Sequence, residues 1–108
     1  VQVLQGKALD VVVDIRRDSP TFGEHYKIEL SSENKIQFWV PSGFAHGFVS
    51  LDDDTLFSYK CTQFYSKDHE RALLWNDKTL NIDWGTQNPI ISQKDQEAPD
   101  FKHFNSPF

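Results

Sequence analysis

The first 17 residues, "VQVLQGKALDVVVDIRR" (Val1–Arg17), decide which fold the chain is expected to adopt. Valine, isoleucine and leucine are dense here, and β-branched side chains favour extended backbone. Gly6 interrupts this apolar run, as glycine does at a turn or a β-bulge. The stretch therefore predicts two strands, or one bent strand, with the change of direction at Gly6.

Further strands are predicted downstream, each bounded by turn-forming residues. The segment "DSPTFG" at 18–23 is a loop, and "EHYKIELS" after it alternates, with Tyr26, Ile28 and Leu30 on one face. An acidic turn is predicted at Asp52–Thr55. The other predicted strands lie at residues 35–40, 44–51 and 55–66. Several short strands joined by turns favour an all-β fold, a sandwich or a barrel such as a jelly roll.

The pattern loosens after Lys67, and most of the remaining chain is predicted to be irregular. A short helix is expected near Lys94–Glu97, ended by Pro99, because proline cannot continue a helix. At 108 residues the chain has the size of one domain, so residues 1–108 are interpreted as a single unit.

Composition and charge argue against two classes of binding partner, nucleic acids and membranes. The net charge is −5, which argues against a nucleic-acid partner, and no basic run exceeds Arg16–Arg17. No apolar run approaches the roughly 20 residues of a membrane span, so no membrane partner is predicted. Cys61 is the single cysteine, which excludes a disulfide within the chain and fits a reducing cytoplasm.

One histidine and one tyrosine stand out on strand faces that otherwise carry apolar groups. Phe44, His46 and Phe48 share a face of one predicted strand, and Phe57 and Tyr59 share a face of the next. If both faces point inward, the imidazole and the phenol enter the same barrel interior. Buried, hydrogen-bonded histidine and tyrosine side chains are also common in ordinary cores, and the residues alone leave both readings open.

Histidines and carboxylates elsewhere in the chain bear on two further kinds of site. A metal site needs two or three histidines converging with a carboxylate, but His25, His69 and His103 fall in turns or the tail, so no metal is predicted. Asp95, in "SQKDQEAP", could orient a histidine as carboxylates do for imidazole bases. It could equally be an acid in the first turn of a helix.

The motifs taken together resemble one enzyme family. They are "DVVVDIRRDSPTFG", "ELSSENKIQFWVPSGFAHGFVSL", "YKCTQFYS", "LLWND", "IDW" and "ISQKDQEAP", in this order between Val1 and about Pro99. The chain thereby resembles the dTDP-4-dehydrorhamnose 3,5-epimerases. The resemblance implies a double-stranded β-helix of the cupin type, with an irregular or helical C-terminal segment. It also implies a homodimer that uses no metal and no other cofactor.

The resemblance further implies a reaction and a set of site residues. The family inverts carbons 3 and 5 of dTDP-4-dehydro-6-deoxyglucose, both next to a ketone. Tyr59 corresponds to the acid that returns the proton, and Asp95 to the aspartate that holds the base histidine. Tyr65 corresponds to the ring that stacks on thymine. The resemblance assigns contacts with the nucleotide sugar to His46, Tyr65, Glu70 and Lys94.

The family's base histidine belongs to an "RGLHxQ" stretch that precedes the segment matching Val1, and the chain holds no such stretch. We therefore expect a jelly-roll domain that lacks its N-terminal strands and is inactive alone. Other readings are a related 3- or 5-epimerase or ketoisomerase of a dTDP-sugar, and a sugar-nucleotide-binding domain without catalysis.

Overall fold

The computed structural model describes residues 1–86 and 88–108 and is mostly β-structure, as predicted. The strands are β1 (Gln2–Gln5), β2 (Lys7–Asp14), β3 (His25–Ser31), β4 (Phe44–Ser50) and β5 (Leu56–Ser58). The helical elements are one α-helix, α1 (Gln93–Gln96), and two 3₁₀ turns, Lys67–His69 and Phe101–His103. The short helix predicted near Lys94–Glu97 is thus confirmed, displaced by one residue.

The five strands form two antiparallel sheets. β1 pairs with β5, and the second sheet has the order β3-β2-β4. Gly6 separates β1 from β2 with φ of 77°, a left-handed value that glycine tolerates. A Cβ added there would lie 2.8 Å from Oγ1 of Thr55. The prediction of a change of direction at Gly6 is confirmed, and its outcome is two strands in different sheets.

Pairing in the three-stranded sheet determines which side chains share a face. Ala8, Asp10 and Val12 lie opposite Leu30, Ile28 and Tyr26 of β3, which confirms that those three share one face. Val12 and Asp10 also lie opposite His46 and Phe48 of β4. We call this side of the sheet the His46 face. The other side, the rear face, carries Val11, Val13, Ala45, Gly47 and Val49.

The two faces are covered to different extents. On the rear face, Val13 and Ile15 pack with Leu80, and residues from Leu73 to Phe104 surround this cluster. On the His46 face, Ala8 and Leu30 pack with Val3 at one end. Other aromatic side chains of this face stay open: Tyr26 and Phe48 are 57% and 45% exposed. The C-terminal segment therefore closes the rear face and leaves much of the His46 face accessible.

Two predicted strands are wrong in whole or in part. Residues 35–40 form no strand: Phe38 exchanges backbone hydrogen bonds with Val1, at 2.9 Å in each direction, and the Lys35 N–H donates to the Ser31 carbonyl within the preceding turn. The predicted strand at 55–66 is limited to Leu56–Ser58. Strand-like side chains become a strand only where a second strand offers a ladder of donors and acceptors. β1 offers only four residues, so the ladder ends at Ser58.

Candidate functional site

The centre of the His46 face holds a histidine paired with a buried carboxylate. Asp10 is 0% exposed, and its two oxygens lie 3.0 and 2.8 Å from Nε2 of His46. In a pair between imidazole and an ionised carboxylate, the ring nitrogen is the donor and the carboxylate oxygens accept. The His46 side chain is 28% exposed, which leaves part of the ring open to a ligand.

Asp10 is a site residue that the sequence reasoning missed. A signal was present, because an acidic residue in the middle of "KALDVVVD" breaks a run of apolar residues. Aspartate is rarely fully buried unless it is paired, so such a position indicates a partner elsewhere in the fold. The partner, His46, lies 36 positions further along the chain.

Aromatic rings surround the imidazole. The rings of Phe48 and Phe57 stack with centroids 3.9 Å apart and planes 5° apart, and the His46 ring lies 6.4 Å from that of Phe57. Aromatic stacking of this kind restricts the orientation of the rings. The imidazole therefore has a carboxylate at Nε2, and the Phe57 ring lies beside it with its plane 26° from that of the imidazole.

Tyr59 lies one residue beyond the end of β5 and is 68% exposed. The alternation that would have placed its side chain beside that of Phe57 stops with the strand, so the predicted inward direction does not follow from the sheet. None of the described residues hydrogen-bonds to its hydroxyl. The acid role of Tyr59 stays a prediction.

Asp95 lies in α1, whose first turn is capped by Ser92: the backbone N–H of Asp95 donates to the Ser92 hydroxyl at 3.3 Å. Asp95 also lines a cavity of ≈ 720 Å³ between the sheet and the C-terminal segment. His46, Arg71 and Trp84 are also among its lining residues. Both readings of Asp95, helix acid and site residue, remain compatible with this position.

Three of the four predicted substrate contacts come together in a second cluster. The Tyr65 hydroxyl donates to Oε2 of Glu70 at 2.9 Å, and the Lys94 ammonium forms an ion pair with Oε1 of the same carboxylate. The Lys94 contact holds the pKa of Glu70 below its ordinary value and raises the pKa of Lys94. The Glu70 carboxylate likewise raises the pKa of the Tyr65 phenol. His46 makes no contact with this cluster.

The loop after β2 is built around Asp14. Its carboxylate accepts hydrogen bonds from Nε and the backbone N–H of Arg16 at 3.0 Å, from Ser19 Oγ at 2.6 Å and from Thr21 Oγ1 at 2.5 Å. The Arg16 guanidinium also lies 4.8 Å above the Phe44 ring, at the end of β4. The predicted loop at 18–23 is therefore tied to β2 through Asp14, and Arg16 connects the same carboxylate to β4.

This loop is expected to loosen in acid. The hydrogen bonds from Arg16 hold the pKa of Asp14 far below its ordinary value of 3.8. A group whose pKa is depressed on folding stabilises the protein above its unfolded pKa, and that contribution is lost as the pH falls below it. We expect the melting temperature to fall progressively below about pH 4. Asp14→Asn should start lower and lose less between pH 5 and pH 2, as calorimetry would measure; parallel curves would contradict this role.

No helix in the part of the chain that the structure describes has both the length and the apolar character to cross a membrane. Within residues 1–86 and 88–108, no three histidine, cysteine, aspartate or glutamate side chains gather as metal ligands do. Cys61 is exposed and unpaired with any described cysteine.

The antiparallel sheets, with an imidazole–carboxylate pair on the open face, define a β-protein of the cupin jelly-roll type with a polar site on its inner side. The family model for dTDP-4-dehydrorhamnose 3,5-epimerase matches residues 1–103, and the chain belongs to this family.

Individual relatives agree with the family match. The dTDP-4-dehydrorhamnose 3,5-epimerase of Shigella flexneri is 52% identical over 101 residues, which are 94% of this chain and 56% of that protein. The crystal structure of the epimerase from Elizabethkingia anophelis matches with a TM-score of 0.94 and 51% identity, over 97% of this chain and 58% of that one.

A Legionella pneumophila 3,5-epimerase, solved in complex with dTDP-4-keto-L-rhamnose, matches with a TM-score of 0.91 and 44% identity, over 96% of this chain and 56% of that one. These neighbours confirm the predicted jelly-roll fold. The chain spans about half the length of the relatives that it matches.

Proposed function

We propose that this chain is part of an enzyme that inverts carbons 3 and 5 of dTDP-4-dehydro-6-deoxyglucose to give dTDP-4-dehydro-L-rhamnose. The observation that carries the proposal is the family match across residues 1–103, on a fold whose open face holds the Asp10–His46 pair. The proposal covers one jelly-roll domain formed by residues 1–108 together with further strands upstream.

The chemistry requires groups on opposite sides of the sugar. The ketone at carbon 4 acidifies the neighbouring C–H bonds, so a base can take the proton from carbon 3 or carbon 5 and leave an enolate. An acid then returns a proton to the other side of the same carbon, and a hydrogen-bond donor stabilises the enolate oxygen. We assign the acid to Tyr59 and the orientation of the base histidine to Asp95. Proton transfer of this kind needs no metal and no organic cofactor.

The second cluster is assigned to the nucleotide end of the substrate. The Tyr65 ring is 77% exposed, while Glu70 holds its hydroxyl, so one face of the ring is free to stack on thymine. Lys94 and Glu70 supply a cation and an acceptor beside it. This combination of an aromatic platform and paired charges is suited to a base linked to a pyrophosphate.

Tyr65→Ala is expected to weaken the binding of dTDP. Stacking of an aromatic side chain on a base is worth about 1–3 kcal/mol, so the dissociation constant should rise roughly five- to 150-fold. Isothermal calorimetry measures this directly. Phe64→Ala is the matched control, because Phe64 is the adjacent aromatic residue and is fully exposed, at 101%. Equal affinities in wild-type and Tyr65→Ala protein would contradict the stacking role.

The reaction is tested by proton exchange in heavy water, followed by NMR, using a polypeptide that carries the family's upstream histidine stretch ahead of Val1. Deuterium at both carbon 3 and carbon 5 supports the proposal. Deuterium at one of them indicates a 3- or 5-epimerase, and migration of the ketone indicates a ketoisomerase. Binding of the dTDP-sugar without any exchange indicates a domain that binds but does not catalyse.

The assembly and location are part of the same proposal. We assign a homodimer, because open aromatic side chains and unpaired strand edges favour pairing of sheets between subunits. The exposed thiol of Cys61 is suited to a reducing compartment, and we place the enzyme in the cytoplasm.

A further inference from the structure

We propose that a second cavity of this chain binds a small oxyanion of the phosphate type. The cavity has a volume of ≈ 450 Å³ and lies between residues 70–72 on one side and residues 99 and 103–107 on the other. Among its lining residues, the proposed function uses Glu70 alone. A site in this cavity is therefore additional to the cluster of Tyr65, Glu70 and Lys94, and its ligand does not depend on the chemistry of the dTDP-sugar.

The wall that the C-terminal residues form is fixed by hydrogen bonds. Ser106 is 4% exposed, and its hydroxyl donates to the backbone carbonyl of Ile15. The same hydroxyl accepts from the backbone N–H of Phe108 at 3.2 Å. At the other end, the backbone N–H of Leu74 donates to the Pro99 carbonyl at 2.9 Å, which joins the two walls. The cavity is therefore formed before any ligand arrives, as small-molecule sites usually are.

The charges that line the cavity leave one cation without a partner. Glu70 forms an ion pair with Lys94, and Nδ1 of His103 lies 2.6 Å from Oδ1 of Asp100. Arg71 forms no ion pair with any residue in the described part of the chain. A cavity whose other charges are paired therefore presents one positive charge, which attracts an anion.

The Arg71 guanidinium is oriented by its own segment of backbone. Its Nη1 donates to the carbonyls of Glu70 and Asp68, at 2.9 and 3.4 Å. Nε and Nη2 have no acceptor among residues 1–86 and 88–108, so their N–H groups are available as a fork. Such a fork matches two oxygens of a phosphate or a carboxylate. The side-chain amide of Asn105, which has no described partner either, lies on the opposite wall and can supply a further donor.

The oxyanion has two conceivable sources, free phosphate and the phosphates of a bound nucleotide. The second source has to be considered because Arg71 also lines the cavity of ≈ 720 Å³. Asn105 and His103, however, line the smaller cavity and not the larger one. An oxyanion that takes donors from both Arg71 and Asn105 therefore lies in the smaller cavity, away from the nucleotide. We assign the site to free phosphate.

The first test is a titration of the chain with inorganic phosphate, followed by calorimetry at an ionic strength held constant with chloride. Arg71→Gln removes the fork and should weaken phosphate binding about ten- to 100-fold. Lys102→Gln is the matched control, because it removes the same charge from an exposed residue that does not line the cavity. Its affinity should stay within about twofold of the wild-type value.

A second measurement uses the wild-type chain and needs no folded variant. ¹H–¹⁵N NMR follows the Nε–H group of Arg71 and the side-chain amide of Asn105 during the same titration. We expect both signals to shift and to saturate together with the calorimetric curve. Shifts spread over the exposed lysines, with none at these two groups, would overturn the site.

A third titration separates the two sources of the oxyanion. Phosphate is added to the chain in the presence of saturating dTDP, and an unchanged affinity supports a separate site. Phosphate binding that dTDP abolishes would assign Arg71 to the nucleotide and overturn the proposal. Absence of phosphate binding, or equal losses in Arg71→Gln and Lys102→Gln, would overturn it as well, and the proposed function would stand. Failure of dTDP to bind would count against the nucleotide cluster alone, because the first titration already decides the phosphate site.

Discussion

Tyr59→Phe is expected to slow complete epimerisation by about 10²- to 10⁴-fold, the usual contribution of a positioned general acid. The change removes one oxygen and keeps the ring. Tyr59 is already 68% exposed, so the folded protein should lose little stability. The loss should appear in kcat, because the hydroxyl is needed when the proton returns to carbon and not when the nucleotide binds. The measurement is made on a polypeptide that carries the upstream histidine stretch, with loss of starting material followed by NMR.

The matched control for this prediction is Tyr26→Phe. Tyr26 is also an exposed tyrosine, at 57%, and it lies on the His46 face, so the two variants differ in position and not in chemistry. Tyr26→Phe should leave turnover within about twofold. Unchanged turnover in Tyr59→Phe would remove Tyr59 from the mechanism. An equal loss in both variants would indicate a general effect of lost hydroxyl groups on this face.

The 108-residue chain alone is expected to show no enzyme-rate exchange of the protons at carbons 3 and 5, which is the largest effect that we predict. A base must come within hydrogen-bond distance of the proton that it removes. The histidine that serves as base in the family has no counterpart in these residues. His46 does not replace it, since its Nε2 is held by Asp10 at 2.8 Å. Exchange in heavy water, followed by NMR, measures the rate at each carbon.

Two companion measurements make this result interpretable. The same chain with the upstream histidine stretch added should regain exchange, which shows that the missing activity reflects a missing group. Light scattering should show self-association of the 108-residue chain, because its His46 face is open. Enzyme-rate exchange by the chain alone would show that another group removes the proton, with His46 the first candidate, and our assignment of roles would fall.

The elements predicted correctly are those whose signals are local. Gly6 marks a turn because few other residues accept its backbone conformation, and Pro99 marks the end of the short helix because proline cannot continue one. The face shared by Tyr26, Ile28 and Leu30 follows from alternation within one strand. Residues 35–40 have equally strand-like side chains but form no strand, because pairing with a second strand is not a property of the segment itself.

In the candidate site, too, contacts between distant residues were not predicted from the sequence. Motif order was sufficient to indicate the epimerase family, and through that resemblance it predicted His46, Tyr65, Glu70 and Lys94 as substrate contacts, which stays a prediction. The sequence did not reveal that Asp10 contacts His46, because the two residues are 36 positions apart. It also did not reveal that Glu70 binds both Tyr65 and Lys94, since Lys94 is 24 positions away from Glu70.

By itself, then, the sequence determined the family, the β-rich character and the positions of the turns around which the chain reverses. Only the tertiary structure decided which side chains meet. The physical reason is that periodicity assigns a residue to a face of its own strand, whereas the register between strands sets its neighbours across the sheet. Asp10 became the partner of His46 because β2 and β4 pair Asp10 with Phe48 and Val12 with His46, which places the carboxylate diagonally beside the imidazole.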